Sequence, residues 1–362
     1  MLPLTAPKLR LSYLRKFIIS FHFLKEVNLS NLHNKSYNEA VVLLNMGGPN
    51  NLFEVEVFLK NMFNDPLILR IKNKLIQKIV SSMIINTRID KVKSNYKYIG
   101  SKSPLVESTF KLTQVLQELD KDRFYTYAMR YTPPFSSSVV EELKSKNISK
   151  ITLFSMYPQY SSTTTLSSVR DFLTSIKDIS YDVEINIVES YPVDKGYIET
   201  CIEKIKESKE YFENNETFDD FVLLLSTHSV PQSIINDGDV YEKEVIKSVD
   251  CLKESLKNNN INFKDIQLCY QSKLGPIKWL EPSTIDMIKK YKNENIIVYP
   301  LSFSIDNYET DFELDIENRK FANEIGVSKY IVCKCPNYSI SFAKAIINLI
   351  NSKGKSINEA NI

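Results

Sequence analysis

Eight short apolar runs punctuate the chain from residue 40 onward: 40–45, 124–130, 151–156, 183–188, 221–226, 266–270, 296–301 and 330–333. Most are continuous rather than alternating in polarity, the pattern of parallel strands covered on both faces. The stretches between them mix charged and apolar residues and are long enough for helices, as in 138–146, 165–176, 240–257 and 283–292. Strand and helix alternating in this way predict an α/β, doubly wound fold. The runs divide into two groups of four, joined by the polar stretch 194–220. The expected organisation is a Rossmann-like half over 39–195 and a second over 196–335. A C-terminal helix over 336–352 packs back on the first half, and a disordered tail covers 353–362. In open α/β sheets ligands collect beyond the carboxyl ends of the strands, so the cleft between the halves is where a site is expected.

Residues 1–38 stand apart. The first acidic residue is Glu26, and Lys8, Arg10, Arg15, Lys16 and Lys25 precede it among Leu, Phe, Ile and Ser. A basic, apolar, acid-free start has the composition of an organelle-targeting presequence and predicts a mitochondrial or plastid destination. A short secretory h-region at 17–24 and a disordered extension are the other readings. No apolar run reaches ~18 residues, so no membrane-spanning helix is expected. The 362-residue chain, 43% hydrophobic and 25% charged, otherwise reads as soluble and globular. A net charge of +2 supplies no field to attract nucleic acid, and no such partner is expected. Cys201, Cys251, Cys269, Cys333 and Cys335 form no disulfide framework and read as reduced thiols, with Cys333 and Cys335 buried. The Cys333–Cys335 pair lacks neighbouring ligands for a metal.

Candidate chemistry sits at the strand ends. His228 is the only histidine beyond residue 40, and it closes the fifth apolar run. Imidazole is the side chain best matched to proton transfer near neutrality, although a lone histidine also fits a hydrogen-bonded core position. Asn45–Pro49, Tyr157–Ser161 and Ser302–Asp306 follow the first, third and seventh runs. Gly47-Gly48 reads as a tight turn, since neither a G-x-G-x-x-G loop nor a Walker sequence is present. Residues 306–317 carry Asp306, Glu309, Asp311, Glu313, Asp315 and Glu317, with no basic residue before Arg319. On an α-helix Glu309, Glu313 and Glu317 share one face, where like charges cost about 0.2–0.5 kcal/mol per pair. The helix dipole offsets this only in the first turn, and the remainder reads as a carboxylate path for a divalent cation or for protons. Residues 67–88 contain no acid, and Leu67, Ile71, Leu75, Ile79 and Met83 interleave there with Arg70, Lys72, Lys74, Lys78 and Arg88. Such a basic amphipathic segment lies on an anionic membrane surface or packs on a core.

Taken in order, these motifs resemble those of the ferrochelatases, enzymes that insert ferrous iron into a porphyrin. The resemblance covers roughly residues 40–350 and rests on five blocks: Leu43–Pro49; Tyr157–Thr164; His228-Ser229-Val230-Pro231 with Gly238-Asp239 and Tyr241; Tyr270–Pro276 with Trp279-Leu280-Glu281-Pro282; and Glu309–Glu317. It implies two Rossmann-like halves around a porphyrin cleft, and an enzyme of the lyase class. His228 and Glu309 fall on the catalytic positions and hold Fe2+ in transit. Glu313, Glu317 and Asp306 fall on a proton or metal path. Met46, Arg88, Ser103, Arg130, Tyr131, Tyr157 and Trp279 fall on positions that meet the porphyrin. It further implies protoporphyrin IX as substrate, two protons released, and the terminal step of heme biosynthesis. Iron is then substrate and not a resident cofactor. Residues 67–88 become a membrane-facing lip, on the matrix side of the inner mitochondrial membrane.

The chain departs from the family pattern in places. Asn307 stands where many members carry a second histidine. Ile99-Gly100-Ser101-Lys102-Ser103-Pro104 replaces a glycine-richer loop. Residues 351–362 contain no cysteine, and Ser162 stands where animal-type members have a cluster ligand, so no [2Fe–2S] cluster is expected. Monomer and homodimer both remain open. Two rival readings are the same fold acting on coproporphyrin or another metal, and a tetrapyrrole carrier without catalysis.

Overall fold

All eight apolar runs become strands. The structure, a computed structural model, describes residues 36–213, 215–273, 275–353, 355 and 356; the basic leader lies outside them. Strands β1 (Glu39–Asn45), β2 (Phe124–Met129), β3 (Lys150–Ser155) and β4 (Glu184–Val188) form a parallel sheet in the order β2-β1-β3-β4. Strands β5 (Phe221–His228), β6 (Asp265–Gln271), β7 (Asn295–Pro300) and β8 (Tyr330–Val332) form a second in the order β6-β5-β7-β8. Counted within each half the two orders are the same. Within the tail expected to be disordered, β9 (Lys355–Ser356) pairs antiparallel with Asn186 and Ile187 of β4.

Continuous hydrophobicity has the expected consequence. Val41–Leu44 and Val222–Leu225 are each at most 1% exposed, because helices cover both faces of each sheet. The two halves share one apolar core that includes Val41 and Phe154 of the first sheet and Leu223 and Ile297 of the second. Phe342, Ala343, Ile346, Leu349 and Ile350 form the buried face of the helix Ile340–Lys353. That helix packs on Leu105–Leu119, Lys195–Glu207 and β4. A polar bond also joins the halves: Ser304 Oγ donates to the Met156 carbonyl at 2.5 Å.

The strand order reverses at β1 and at β5, so the chain leaves their two sides in opposite directions and a crevice opens at their carboxyl ends. Asn45–Pro49 and His228–Pro231 occupy those ends. The tight turn at Gly47-Gly48 is explained here by two different demands. Gly47 has φ +84°, a region that disfavours side chains. At Gly48 a Cβ would lie 2.5 Å from Ser103 Oγ and 2.6 Å from Ser103 Cβ. Gly48→Ala is therefore expected to destabilise the protein by about 1–3 kcal/mol through overpacking. A chemical-denaturation midpoint equal to wild type would contradict this.

Candidate active site

His228 ends β5 beyond the last residue paired to β7, which is Ser226 opposite Pro300. Its backbone N–H therefore leaves the ladder and donates to Ser302 Oγ at 2.9 Å, while its carbonyl accepts from Tyr241 OH at 2.8 Å. With its backbone held on both sides, its ring Nδ1 lies 3.0 Å from Glu309 Oε2. The imidazole remains 38% exposed and the Glu309 side chain 20%, so both are open to the cleft. Burial pulls the imidazole pKa down, but the charge and hydrogen bond of Glu309 and the charge of Glu313 outweigh it. The net direction is upward from the usual 6.5.

Glu309 begins a π-helical segment, Glu309–Glu317, that continues as the α-helix Asn318–Glu324. The sequence pattern predicted an ordinary α-helix here; wide turns of this kind are rare and concentrate at functional sites. Asn307 starts the segment as a cap would. Its Oδ1 accepts from the Glu309 N–H at 2.8 Å and the Thr310 N–H at 3.3 Å, satisfying donors that a helix start leaves orphaned. The six acids of 306–317 then separate. Glu309, Glu313 and Glu317 line the cleft. Asp311 pairs with Lys334 at 2.8 Å, and Asp315 pairs with Arg319. Glu313 accepts from the Ser272 N–H at 2.7 Å and from Ser272 Oγ at 2.5 Å. Burial first, and the like charge of Glu309 second, push its pKa up to about 7. Glu309 and Glu313 are half-buried and Glu317 is exposed, so the series runs from the cavity to solvent.

The cavity holds about 500 Å³, within the range of small-molecule sites. Phe58, Leu59, Met62, Phe63, Ile68 and Val92 give it an apolar wall, and Arg88, Lys91 and Lys273 supply cations. Of the residues singled out in the sequence, Met46, Arg88, Ser103, Tyr131, Tyr157, Trp279, His228, Glu309, Glu313 and Glu317 all line it. Two do not. Arg130 turns away to Asp65 and Asp171, at 3.1 Å each. Asp306 accepts from the Cys335 N–H at 3.0 Å and Asn337 Nδ2 at 2.9 Å, with Lys334 at 3.7 Å. Each is engaged with these partners and stands outside the cavity lining.

A family model described as Ferrochelatase matches residues 38–354.

The chain belongs to the ferrochelatase family.

The ferrochelatase of Helicobacter pylori is 51% identical to it over 326 residues, covering 90% of this chain and 96% of the relative. That of Wolinella succinogenes is 49% identical over 313 residues, covering 86% and 98%. Among solved structures, SirB from Bacillus subtilis with Fe3+ aligns with a TM-score of 0.53 over 87% of this chain and 95% of SirB. At 8% identity that likeness speaks for the shared fold alone. These ferrochelatases also correct one expectation. They come from Helicobacter and Wolinella, bacteria without mitochondria or plastids, which overturns the organellar destination read from the N-terminus. A basic, apolar start is a matter of composition, and composition by itself does not name a compartment.

Sequence reasoning missed several residues of this ferrochelatase site. Lys91 lies one turn beyond Arg88 in the helix Lys74–Tyr98, and the i, i+3 spacing of two cations was available as a signal. Tyr96 and Tyr308 had no local signal. Their rings lie 4.9 Å apart, and Asn95 Nδ2 donates to Tyr308 OH at 2.8 Å, so the helix carrying Arg88 touches the residue before Glu309. The five cysteines are free, and all but the half-buried Cys251 are buried. Burial pushes the thiols of Cys201 and Cys269 up to about 12.

Proposed function

We propose that this chain inserts Fe2+ into protoporphyrin IX, with His228 accepting pyrrole protons and Glu309, Glu313 and Glu317 carrying them to solvent. The observation that carries this reading is the 3.0 Å contact between His228 Nδ1 and Glu309 on the wall of a largely apolar cavity. A carboxylate that accepts from Nδ1–H leaves the lone pair on Nε2, the atom that would take a pyrrole proton. Two N–H protons leave the porphyrin as one Fe2+ enters, so the charge on the macrocycle is conserved. The carboxylate series offers them an exit whose outer member is solvated. Among the described residues no group of three His, Cys, Asp or Glu side chains is arranged to hold a metal. His228 and Glu309, whose side chains lie 3.0 Å apart on the cavity wall, would be the groups that contact iron in transit.

The apolar wall and Trp279 suit a flat macrocycle, and Arg88, Lys91 and Ser103 suit its two propionates. Asn307, the departure that favoured a carrier, is engaged in starting the helix that holds Glu309, which supports the enzyme reading. The test is anaerobic addition of Fe2+ to protein with protoporphyrin IX, followed by loss of porphyrin fluorescence. Tight porphyrin binding with no change in metal content would overturn the enzyme reading in favour of a carrier.

Contact with an anionic membrane is part of the same proposal. In the helix Lys74–Tyr98, Gln77, Ser81 and Ile85 face inward. Leu75, Ile76, Ile79 and Met83 are instead 51–69% exposed, beside the exposed Lys72, Lys74 and Lys78. No helix among the described residues is long and apolar enough to cross a membrane, so such contact would be peripheral. Ile79→Ser with Met83→Ser is expected to abolish most co-sedimentation with phosphatidylserine-containing vesicles. Undiminished sedimentation would refute it.

A further inference from the structure

Behind the cavity wall lies a carboxylate that the mechanism above does not use. The Asp65 side chain is 1% exposed and does not line the cavity. Its Oδ2 accepts from Tyr131 OH at 3.0 Å, lies 3.1 Å from Arg130 Nη2, and receives a very short bond from Ser167 Oγ. Its Oδ1 accepts from the Leu67 N–H at 2.8 Å. Its carbonyl accepts from the N–H groups of Ile68 at 3.1 Å and Leu69 at 3.0 Å. Gln77 reinforces the same loop by donating to the carbonyls of Asn64 at 3.1 Å and Leu69 at 3.3 Å.

One residue thus joins three places distant in sequence: the end of β2 at Tyr131, the start of the helix Ser167–Asp178, and the loop that precedes the exposed apolar helix. Two of the groups it holds, Tyr131 and Ile68, are cavity lining. Burial, and then the Asp65 charge, hold the Tyr131 hydroxyl well above its usual pKa, so it remains a donor to that carboxylate. A buried carboxylate is costly unless every lone pair is used, and here one of the donors that satisfy it, Tyr131, is itself part of the wall.

We propose that Asp65 is a positioning residue for the porphyrin: it fixes the Tyr131 ring relative to the 67–69 loop, which contributes Ile68 to the cavity lining. It touches neither substrate nor His228. The proposal rests on the reading that this cavity takes a porphyrin. It predicts a change in porphyrin affinity and not in the proton chemistry. Asp65→Asn places an amide N–H₂ against either the three donors at Oδ2 or the Leu67 N–H, so one set is lost in either rotamer.

The experiment measures porphyrin Kd by fluorescence quenching without metal, then KM for porphyrin and kcat, on the full chain. Asp65→Asn is expected to weaken Kd and raise KM about tenfold, the loss of one hydrogen bond to a charged group, with kcat within about twofold. Tyr131→Phe, which keeps the ring and the Asp65–Arg130 pair, should shift Kd in the same direction by less. Asp171→Asn also removes a partner of Arg130 but none of the Tyr131 or loop bonds, and should leave Kd within about twofold. An unchanged Kd for Asp65→Asn, or a fall in kcat at unchanged Kd, overturns the proposal. Should Asp65→Asn not fold, an unchanged Kd for Tyr131→Phe overturns it instead. Failure of the wild type to bind porphyrin would instead sink the reading on which the proposal rests.

Discussion

His228→Ala is expected to slow iron insertion by about 10²–10⁴-fold, the usual contribution of a positioned general base. Porphyrin affinity should change little, because on the proposed reading the apolar wall, Arg88 and Lys91 would hold the macrocycle. The measurement pairs the single-turnover rate of porphyrin fluorescence loss, under anaerobic Fe2+, with Kd from quenching in the absence of metal. A rate within threefold of wild type would remove His228 from the chemistry. The expectation is large because no second imidazole is near among the described residues. Asn307 occupies the position where a second histidine is common in the family, and its amide is engaged with the Glu309 and Thr310 N–H groups. On the proposed mechanism, proton acceptance would then fall on one ring among the described residues, and an alanine there would leave the cleft carboxylates Glu309, Glu313 and Glu317.

Glu309→Gln is expected to lower kcat by about 10–100-fold, as when the hydrogen-bonded partner of a working histidine is removed, and to move the pH profile. The sign follows from the direction of the His228 shift. Only neutral imidazole accepts a proton, so kcat/KM for porphyrin rises as pH rises through the His228 pKa, which stands above 6.5. Glu309 is the foremost upward influence on that pKa, with burial pulling the other way. Neutralising it lowers the His228 pKa and carries the acid limb to lower pH. Glu313 moves in the same direction, because the Glu309 charge is the second cause, after burial, of its rise to about 7. The profile belongs to the coupled set and not to one residue. An acid limb unmoved by Glu309→Gln, or moved to higher pH, would contradict the contact on which the mechanism rests.

Much of the site was legible because its members stand at the ends of apolar runs. His228 closes β5, Met46 follows β1 and Tyr157 follows β3, and a parallel sheet gathers such ends on one edge. The four-residue spacing of Glu309, Glu313 and Glu317 survived even the change from α to π winding, since all three still face the cavity. Arg130 and Asp306 stand outside the cavity lining for a common reason. Each stands beside residues that do line the cavity, yet each has a buried or local counter-ion that claims it. Arg130 reaches Asp65 and Asp171, and Asp306 meets the 334–337 segment. Distance along the chain hid those partners. The same holds for the Tyr96–Tyr308 contact and for Asp65, whose neighbours are 66 and 102 residues away.

By itself the sequence determined the elements, their parallel arrangement and the kinds of chemistry available. Those follow from periodicity and from which side chains can accept a proton or meet a carboxylate. Only the tertiary structure decided which charges serve the cavity and which neutralise one another. An ion pair is a matter of a few ångströms between side chains, and the fold, not the order of residues, sets those distances. The six acids of 306–317 illustrate the division: they form one run in the chain, but in the folded protein three face the cleft and three are held by Lys334, Arg319 and the 334–337 segment.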